Sequence, residues 1–491
     1  MTMENTQPPT PQVVAPIPSV VSPVATEAPP QPMDVDSMSP APPPPPPPSG
    51  NQDSMVMAPK PKRGFPKKLI LVVLVLVLLV GLAGLVFGVV LPGLTKSTKE
   101  VSLVWWGLWE DPAVVEPLIA EYQAANPNVT IEYKKQSKED YRERLSSTLA
   151  QGTGPDIFRI HNSWVPMFRS KLAPAPESVM SSTEFSQTFY PVATSDLVLG
   201  GQVLGLPLMY DALALYVNDD LLATFGRNAP TTWSDLVETA TSTTVKDKGV
   251  VTQAGVSLGV VQNVDHWPEV LALLMLQNRA SLANPGDSQG LGKGAIDYYK
   301  QFADKQLWNT ALPRSTEYFA TGKLAMYFGP TWEYHEIKEI NPALRFSLVA
   351  VPQVPKNFPD EPNITYATYW TEGVSNVSDN ADEAWKFLKF LSSSENLRKM
   401  YSATSQSRAF GEPYPRVDMR DELLSSPILK AIIEDAPDAQ SWYLADKTSD
   451  GATGINSQLA QYYSDAVRGS QLSEVTMGVQ QVLASYGISV R

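Results

Sequence analysis

The chain has 491 residues, no cysteine, three histidines and a formal net charge of −13. Without cysteine it has no disulfides, thiolate zinc sites, iron–sulfur clusters or cysteine nucleophiles, and the acidic balance argues against nucleic acid, whose phosphates attract basic surfaces. The length exceeds what one core usually fills, about 250–300 residues, so more than one compact unit is expected.

Residues 1–66 are rich in proline, with "PPPPPPP" at 42–48. Such a segment buries too little apolar surface to offset its ordering entropy and is expected to be a disordered, solvated tail. Residues 69–91 carry no charge and are mostly Leu and Val. At about 1.5 Å per residue, a helix of this length spans the ~30 Å hydrocarbon core. Lys60, Lys62, Arg63, Lys67 and Lys68 precede it, so the positive-inside rule puts the tail in the cytoplasm and the remainder outside. "LAGL" at 82–85 is like a lipoprotein cleavage box, but Leu85 stands where the lipidated cysteine would be. The helix itself is therefore the expected anchor. Residues 92–99 form a short linker. The tail carries five acids and five bases, so the whole excess of negative charge falls on the exported part.

From 100 onward the pattern opens as β-α-β-α-β. "VSLVWW" at 101–106 is a short apolar strand. Asp111 reads as a helix cap with Pro112 at the first helical position. Val114, Val115, Leu118, Ile119 and Tyr122 follow at helical spacing. "VTIEY" at 129–133 alternates as a strand, and a second helix over about 138–151 carries Tyr141, Leu145 and Leu149 on one face. "GTGP" at 152–155 turns the chain into "DIFRI", where Asp156 reads as structural. Alternating strands and helices imply a parallel sheet, with ligands beyond the carboxyl ends of its strands. Trp105 and Trp106 point to opposite faces of the first strand. Trp105 is assigned to the core, Trp106 to the rim and Trp109 to the loop beyond. Farther on, Thr232 and Asp235 have capping-box spacing, and "TGKLAMYFGPTWEY" at 321–334 reads as strand then loop. Asp379 or Asn380 begins a helix whose buried face holds Ala384, Trp385, Leu388 and Leu391. His161, His266 and His335 lie far apart, and "HEIKE" at 335–339 lacks the second histidine of a zinc-protease helix. No metal or cofactor is expected.

"GTGPDIF", "GLPLMYDALALYVNDDLL" with "PTTWSDL" after it, "GKLAMYFGPTW" and "EGVSNVSDNADEAWKFLKFL" follow the Trp-ended first strand in this order. Together they resemble the bacterial extracellular solute-binding proteins of the maltose-binding-protein-like group, the sugar receptors of ABC importers. The resemblance implies a two-lobed α/β fold with a ligand cleft between the lobes. Lobe one would be about 100–210 and 367–405, and lobe two about 215–365 and 408–491. Crossovers would fall near 211–218, 366–370 and 405–408. A sugar cleft needs aromatic plates and a few hydrogen-bonding groups. The resemblance places Trp109, Glu110, Trp164, Tyr210, Asp211, Trp332, Trp370 and Arg408 at or near such positions. It implies a non-enzymatic monomeric receptor that closes on a carbohydrate and delivers it to permease subunits on other chains. "GLGKGA" at 290–295 lacks the spacing of an ATP-binding loop. The alternatives are a sensor or surface-binding module on the same fold, or a glycoside hydrolase with two carboxylates about 5–10 Å apart.

Overall fold

The computed structural model describes Val72 and residues 75–81, 99–356 and 358–489. In the first of two compact units, Met1–Leu91, Val72 and residues 75–81 are helical and exposed. Among the described residues, no helix is long and apolar enough to cross a membrane. The expected tail at 1–66, most of the expected helix at 69–91 and residues 92–98 of the linker lie outside the described residues.

The second unit, Pro92–Arg491, begins with β1 (Val101–Gly107), helix Pro112–Ala125, β2 (Val129–Lys135), helix Tyr141–Ala150 and β3 (Ile157–His161). Asp111 caps the first helix by accepting from the Ala113 amide at 3.0 Å, with Pro112 next to it. That helix buries Val115, Leu118, Ile119 and Tyr122, and the next buries Tyr141, Leu145 and Leu149. β1 runs parallel to β2, with Val101 opposite Val129, and parallel to β3, with Trp105 opposite Ile157. Asp156 fastens this corner, accepting from the Val104 amide at 2.8 Å and from the Ser378 hydroxyl.

After a hairpin of β4 (Val198–Leu199) and β5 (Gln202–Val203), the chain builds a second sheet. Its strands are β6 (Leu213–Asn218), β7 (Val245–Asp247), β8 (Val250–Val256), β9 (Leu324–Pro330) and β10 (Phe346–Val349), in the order β10-β6-β9-β8-β7. The chain then returns as β11 (Trp370–Val374), which completes the first sheet in the order β11-β3-β1-β2. The result is a two-lobed α/β fold built on the four-stranded and the five-stranded sheet, with the two-stranded β4–β5 hairpin beside them.

Two expectations need correction. The parallel arrangement holds for β1, β2 and β3 and for β8 with β9, but both sheets are mixed. β11 lies antiparallel to β3, and β6 pairs antiparallel with both β9 and β10. β11 arrives by a long return from the second lobe, so it can run in either direction. Residues after β9 are not a loop either, since a helix, Glu333–Ile340, starts within two residues. Asp211 accepts from the amides of Thr331 and Trp332 at its start. Glu333 and Glu336 in its first turn suit the positive end of the helix dipole.

Helix Ala381–Leu391 packs on the first sheet with Ala384, Trp385, Leu388 and Leu391 buried, and Trp105 is fully buried beneath it against Phe387. Helices Ile455–Arg468 and Leu472–Ser485 close the chain. Tyr463 of the former donates to the Leu282 carbonyl. Thr232 caps helix Trp233–Thr243 by accepting from the Asp235 amide at 3.2 Å.

Candidate functional site

The loop after β1 carries Trp109 and Glu110. Trp109 is 36 % exposed, whereas Glu110 is only 3 % exposed. Gly107 opens this loop where a Cβ would fall 2.3 Å from the Tyr133 hydroxyl. Its absence lets that hydroxyl donate to the Glu110 carbonyl at 3.0 Å.

The Glu110 side chain turns inward to Arg159 on β3, which donates to its Oε1 at 2.6 Å. The same guanidinium donates from Nε to Glu372 on β11 at 2.9 Å, and Trp105 Nε1 donates to the other Glu372 oxygen at 3.3 Å. Burial works against the Glu110 charge, but Arg159 overrides it and holds the carboxyl below its usual range. Burial raises Glu372, the second carboxylate on the same cation. Glu110 is thus one corner of a buried ion triad and offers no free carboxylate. Arg159 and Glu372 were missed at the sequence level. The available signal was an arginine inside "DIFRI", a strand that is buried at every position from Ile157 to His161.

Trp164 is also internal. It is 0 % exposed, stacked on Phe168 at 5.9 Å and on Tyr141 at 6.5 Å. Its edge meets Trp370 at 5.4 Å, and Trp370 in turn meets Trp109 at 5.4 Å. The three tryptophans form a continuous row from core to surface. Only its outer members, half-buried Trp370 and exposed Trp109, present aromatic surface. His161 packs edge-on to Trp370 at 5.3 Å, and burial lowers it to about 3, so it is neutral.

Tyr210 is buried against Tyr190 and Tyr369, with no hydrogen-bond partner for its hydroxyl among the described residues. Its neighbour Asp211 is nearly buried and fully engaged. It accepts from the Ala212 amide at 2.8 Å, the Thr331 amide at 2.9 Å and the Thr331 hydroxyl at 3.0 Å. Burial pushes Asp211 up to about 7 against these donors, with the nearby Glu412 charge adding to the rise. Asp211 therefore acts on the turn that carries Trp332.

Trp332 is 37 % exposed. His266 stands edge-on to it at 5.5 Å, and the Lys447 ammonium lies over its ring at 5.1 Å. His266 is buried between two carboxylates, Glu333 at 2.8 Å and Glu269 at 3.3 Å. Burial disfavours the imidazolium, but these two charges override it and raise His266 to about 10. Lys447 also reaches Glu333, at 2.5 Å. His266 and Lys447 were not singled out from sequence. Their partners lie far along the chain, and isolated histidines and lysines carry no spacing signal.

Arg408 donates to Glu412 at 2.6 Å. Its charge adds to burial in lowering His335 to about 4 and also acts on Glu110. Arg408 is thus within electrostatic reach of the first-lobe loop and of the helix that follows Trp332. Asn162 and Tyr369 exchange hydrogen bonds, the Asn162 amide donating at 2.9 Å and the Tyr369 amide returning one at 3.3 Å. Asp196 accepts from the Asn162 side chain at 2.8 Å, from Tyr369 Oη at 2.9 Å and from the Ser441 hydroxyl. Among the described residues no group of three or more His, Asp or Glu side chains is arranged to hold a metal ion.

Aromatic surface comes from Trp109 and Trp370 on one lobe and from Trp332 on the other. Charged donors stand beside it, and the acids Glu110, Asp211 and Glu333 are already paired or bonded.

The profile of a bacterial extracellular solute-binding protein family matches residues 117–408. A protein of Brucella abortus (strain 2308) named as a binding protein is 25% identical over 290 residues, covering 56% of this chain and 68% of its own length. Solved structures share the fold at lower identity. The cyclic α-maltosyl-1,6-maltose binding protein of Arthrobacter globiformis has a TM-score of 0.62 at 17% identity, covering 78% of this chain and 98% of that one. The sugar-binding protein MalE of Xanthomonas citri gives 0.61 at 18% identity, with the same coverages of 78% and 98%. A cyclo/maltodextrin-binding protein complexed with maltotetraose gives 0.60 at 16% identity, covering 80% and 98%. With the match spanning more than half of the sequence and the two-lobed fold in place, this chain belongs to the bacterial extracellular solute-binding proteins.

Proposed function

We propose that the protein is an extracytoplasmic receptor that captures a carbohydrate between its lobes and delivers it to the permease of an ABC importer. The observation that carries this reading is solvent-accessible aromatic surface on both lobes. Trp109 and Trp370 meet on the first lobe and Trp332 stands on the second with the Lys447 ammonium over its ring, while Arg408 acts electrostatically on Glu110 and His335. Aromatic faces take the C–H surfaces of a sugar ring, and charged donors take its hydroxyl edge. Fold neighbours are described with mannobiose, tagatose and maltotetraose bound. Asp211 and Glu110 serve the site by positioning Trp332 and the Trp109 loop, and Trp164 backs Trp370. Tyr210 lies behind Asp211.

In this reading lobe one is about 100–210 and 367–405, lobe two is about 215–365 and 408–491, and the chain bends near the Asp196 knot. Ligand contacts made from both lobes favour the closed form, since a ligand shifts an equilibrium only through its differential affinity. The uncharged run at 69–91, with its basic flank, anchors the receptor in the cell membrane with the proline-rich tail inside. Tethering then holds the receptor at high effective concentration beside its permease.

A thermal-shift screen of the full chain against maltotetraose, mannobiose and tagatose tests the reading. Binding to the native state raises Tm by mass action, by about 2.7 kcal/mol of stabilisation at a hundredfold excess over Kd. A shift with at least one saccharide supports it. No shift with any saccharide, together with a shift by amino acids, peptides or polyamines, overturns the ligand class.

A further inference from the structure

Among the described residues, Lys447 is the charged donor that stands directly over an exposed aromatic face in this chain's candidate cleft, 5.1 Å from the Trp332 ring. Three carboxylates surround it: Glu333 at 2.5 Å, Glu336 at 3.8 Å and Asp265 at 3.9 Å. An ammonium has three N–H donors. Only the Glu333 contact is within hydrogen-bond length, since 3.8 and 3.9 Å exceed the usual 2.7–3.2 Å range. The charge of Lys447 is therefore compensated while two of its N–H groups have no close acceptor among the described residues.

The surrounding cations do not change this balance. His266 is paired with Glu333 and Glu269, and Arg314 is paired with Asp265. Glu336, whose side chain is about half exposed, adds a negative charge on the solvent side. A ligand arriving at this plate meets donors seeking oxygen atoms but no surplus of positive charge.

The backbone also points to a dedicated placement. Lys447 adopts φ 55, in the left-handed region that a long side chain rarely occupies. The turn is pinned from both sides, with the Asp446 amide donating to Glu269 at 2.7 Å and its carboxylate accepting from the His266 amide at 3.2 Å. Backbone strain held by such partners marks positions where the aim of a side chain matters.

We propose that Lys447 is a specificity-determining ligand contact that donates to hydroxyl or ring oxygens of a sugar on the Trp332 plate, and that the carboxylates around it make the site select neutral over anionic saccharides. This rests on the carbohydrate reading given above. An acidic sugar would bring a carboxylate against Glu333, Glu336 and Asp265 without an unpaired cation to receive it. A neutral sugar uses the unengaged N–H groups and leaves the ion pairs intact.

The test is calorimetric titration of the full chain with maltotetraose and mannobiose, and with the same saccharides oxidised at their primary hydroxyls to uronates. The neutral form of whichever saccharide binds is expected to bind at least tenfold more tightly than its uronate. Lys447→Met should weaken neutral binding at least tenfold, and Lys447→Arg should stay within about threefold of wild type. Glu336→Gln removes one negative charge and should narrow the neutral-to-uronate gap at least threefold. Tm of each variant separates folding from binding, and if Lys447→Met does not fold, the Arg and Glu336→Gln variants decide. Equal affinity of wild type and Lys447→Met, or tighter binding of the uronate by wild type, overturns the inference and leaves the carbohydrate reading standing. Failure of wild type to bind any of these saccharides, neutral or acidic, sinks the carbohydrate reading and this inference with it.

Discussion

Asp211 holds Thr331 twice, accepting from its amide at 2.9 Å and from its hydroxyl at 3.0 Å. The carboxylate therefore acts on the turn that presents Trp332. Asp211→Ala would leave buried donors unpaired at a cost of about 1–3 kcal/mol each, and ligand affinity should fall because the Trp332 plate loosens. Asp211→Asn, which keeps one acceptor oxygen, should recover part of both losses. Chemical denaturation and titration of the two variants check this.

The same residue predicts a pH effect. Asp211 is raised from the ordinary 3.8 to about 7 by burial. A carboxyl whose folded value is raised contributes stability that is full below the ordinary value and is lost as pH rises toward the folded one. Its contribution should therefore decline between about pH 4 and 7. Tm profiles of wild type and Asp211→Asn should diverge across that window, and parallel profiles would refute the assignment.

His266 acts over a higher range. Flanked by Glu269 and Glu333, with Asp446 bonded to its amide and Trp332 on its ring edge, it rises from the ordinary 6.5 to about 10. A raised histidine stabilises fully below its ordinary value and loses that contribution as pH climbs through the folded one. Stability should thus erode between about pH 6.5 and 10. In His266→Gln this erosion should be absent, although the variant starts less stable because two buried carboxylates lose their partner.

Arg159 holds Glu110 and Glu372 in a dry interior. Removing one member of a buried ion pair typically costs about 3–5 kcal/mol, because the charge left behind is unpaired. Arg159→Met should show a loss of this order in urea unfolding. Arg159→Met with Glu110→Gln and Glu372→Gln should regain much of it, since the uncompensated charges are gone.

The two tryptophans Trp164 and Trp332 should separate cleanly. Trp164→Ala opens a cavity in the first lobe, and such truncations cost about 3–5 kcal/mol. Its effect on Tm should exceed its direct effect on affinity. Trp332 is more than a third exposed, so Trp332→Ala should change Tm little without ligand and weaken saccharide binding at least tenfold. The reverse pattern would exchange their roles.

Much of the architecture was legible in the residue order. The spacing of Val115, Leu118, Ile119 and Tyr122 marked a helix face that is buried, Asp111 and Pro112 marked its start, and alternation along "VSLVWW" separated buried Trp105 from half-buried Trp106. These are local signals, set by the periodicity of one element and by orphan backbone donors at its ends. They determined where strands and helices form and which faces turn inward. What they could not contain is the partner of each charged or aromatic group. Glu110 meets a cation 49 residues away, and that cation meets a second acid 213 residues away. Lys447 meets Glu333 across 114 residues. Only the folded chain decides these pairings, because burial gives a charge no choice but to find an opposite charge or a donor, and the tertiary path alone determines which one is within reach.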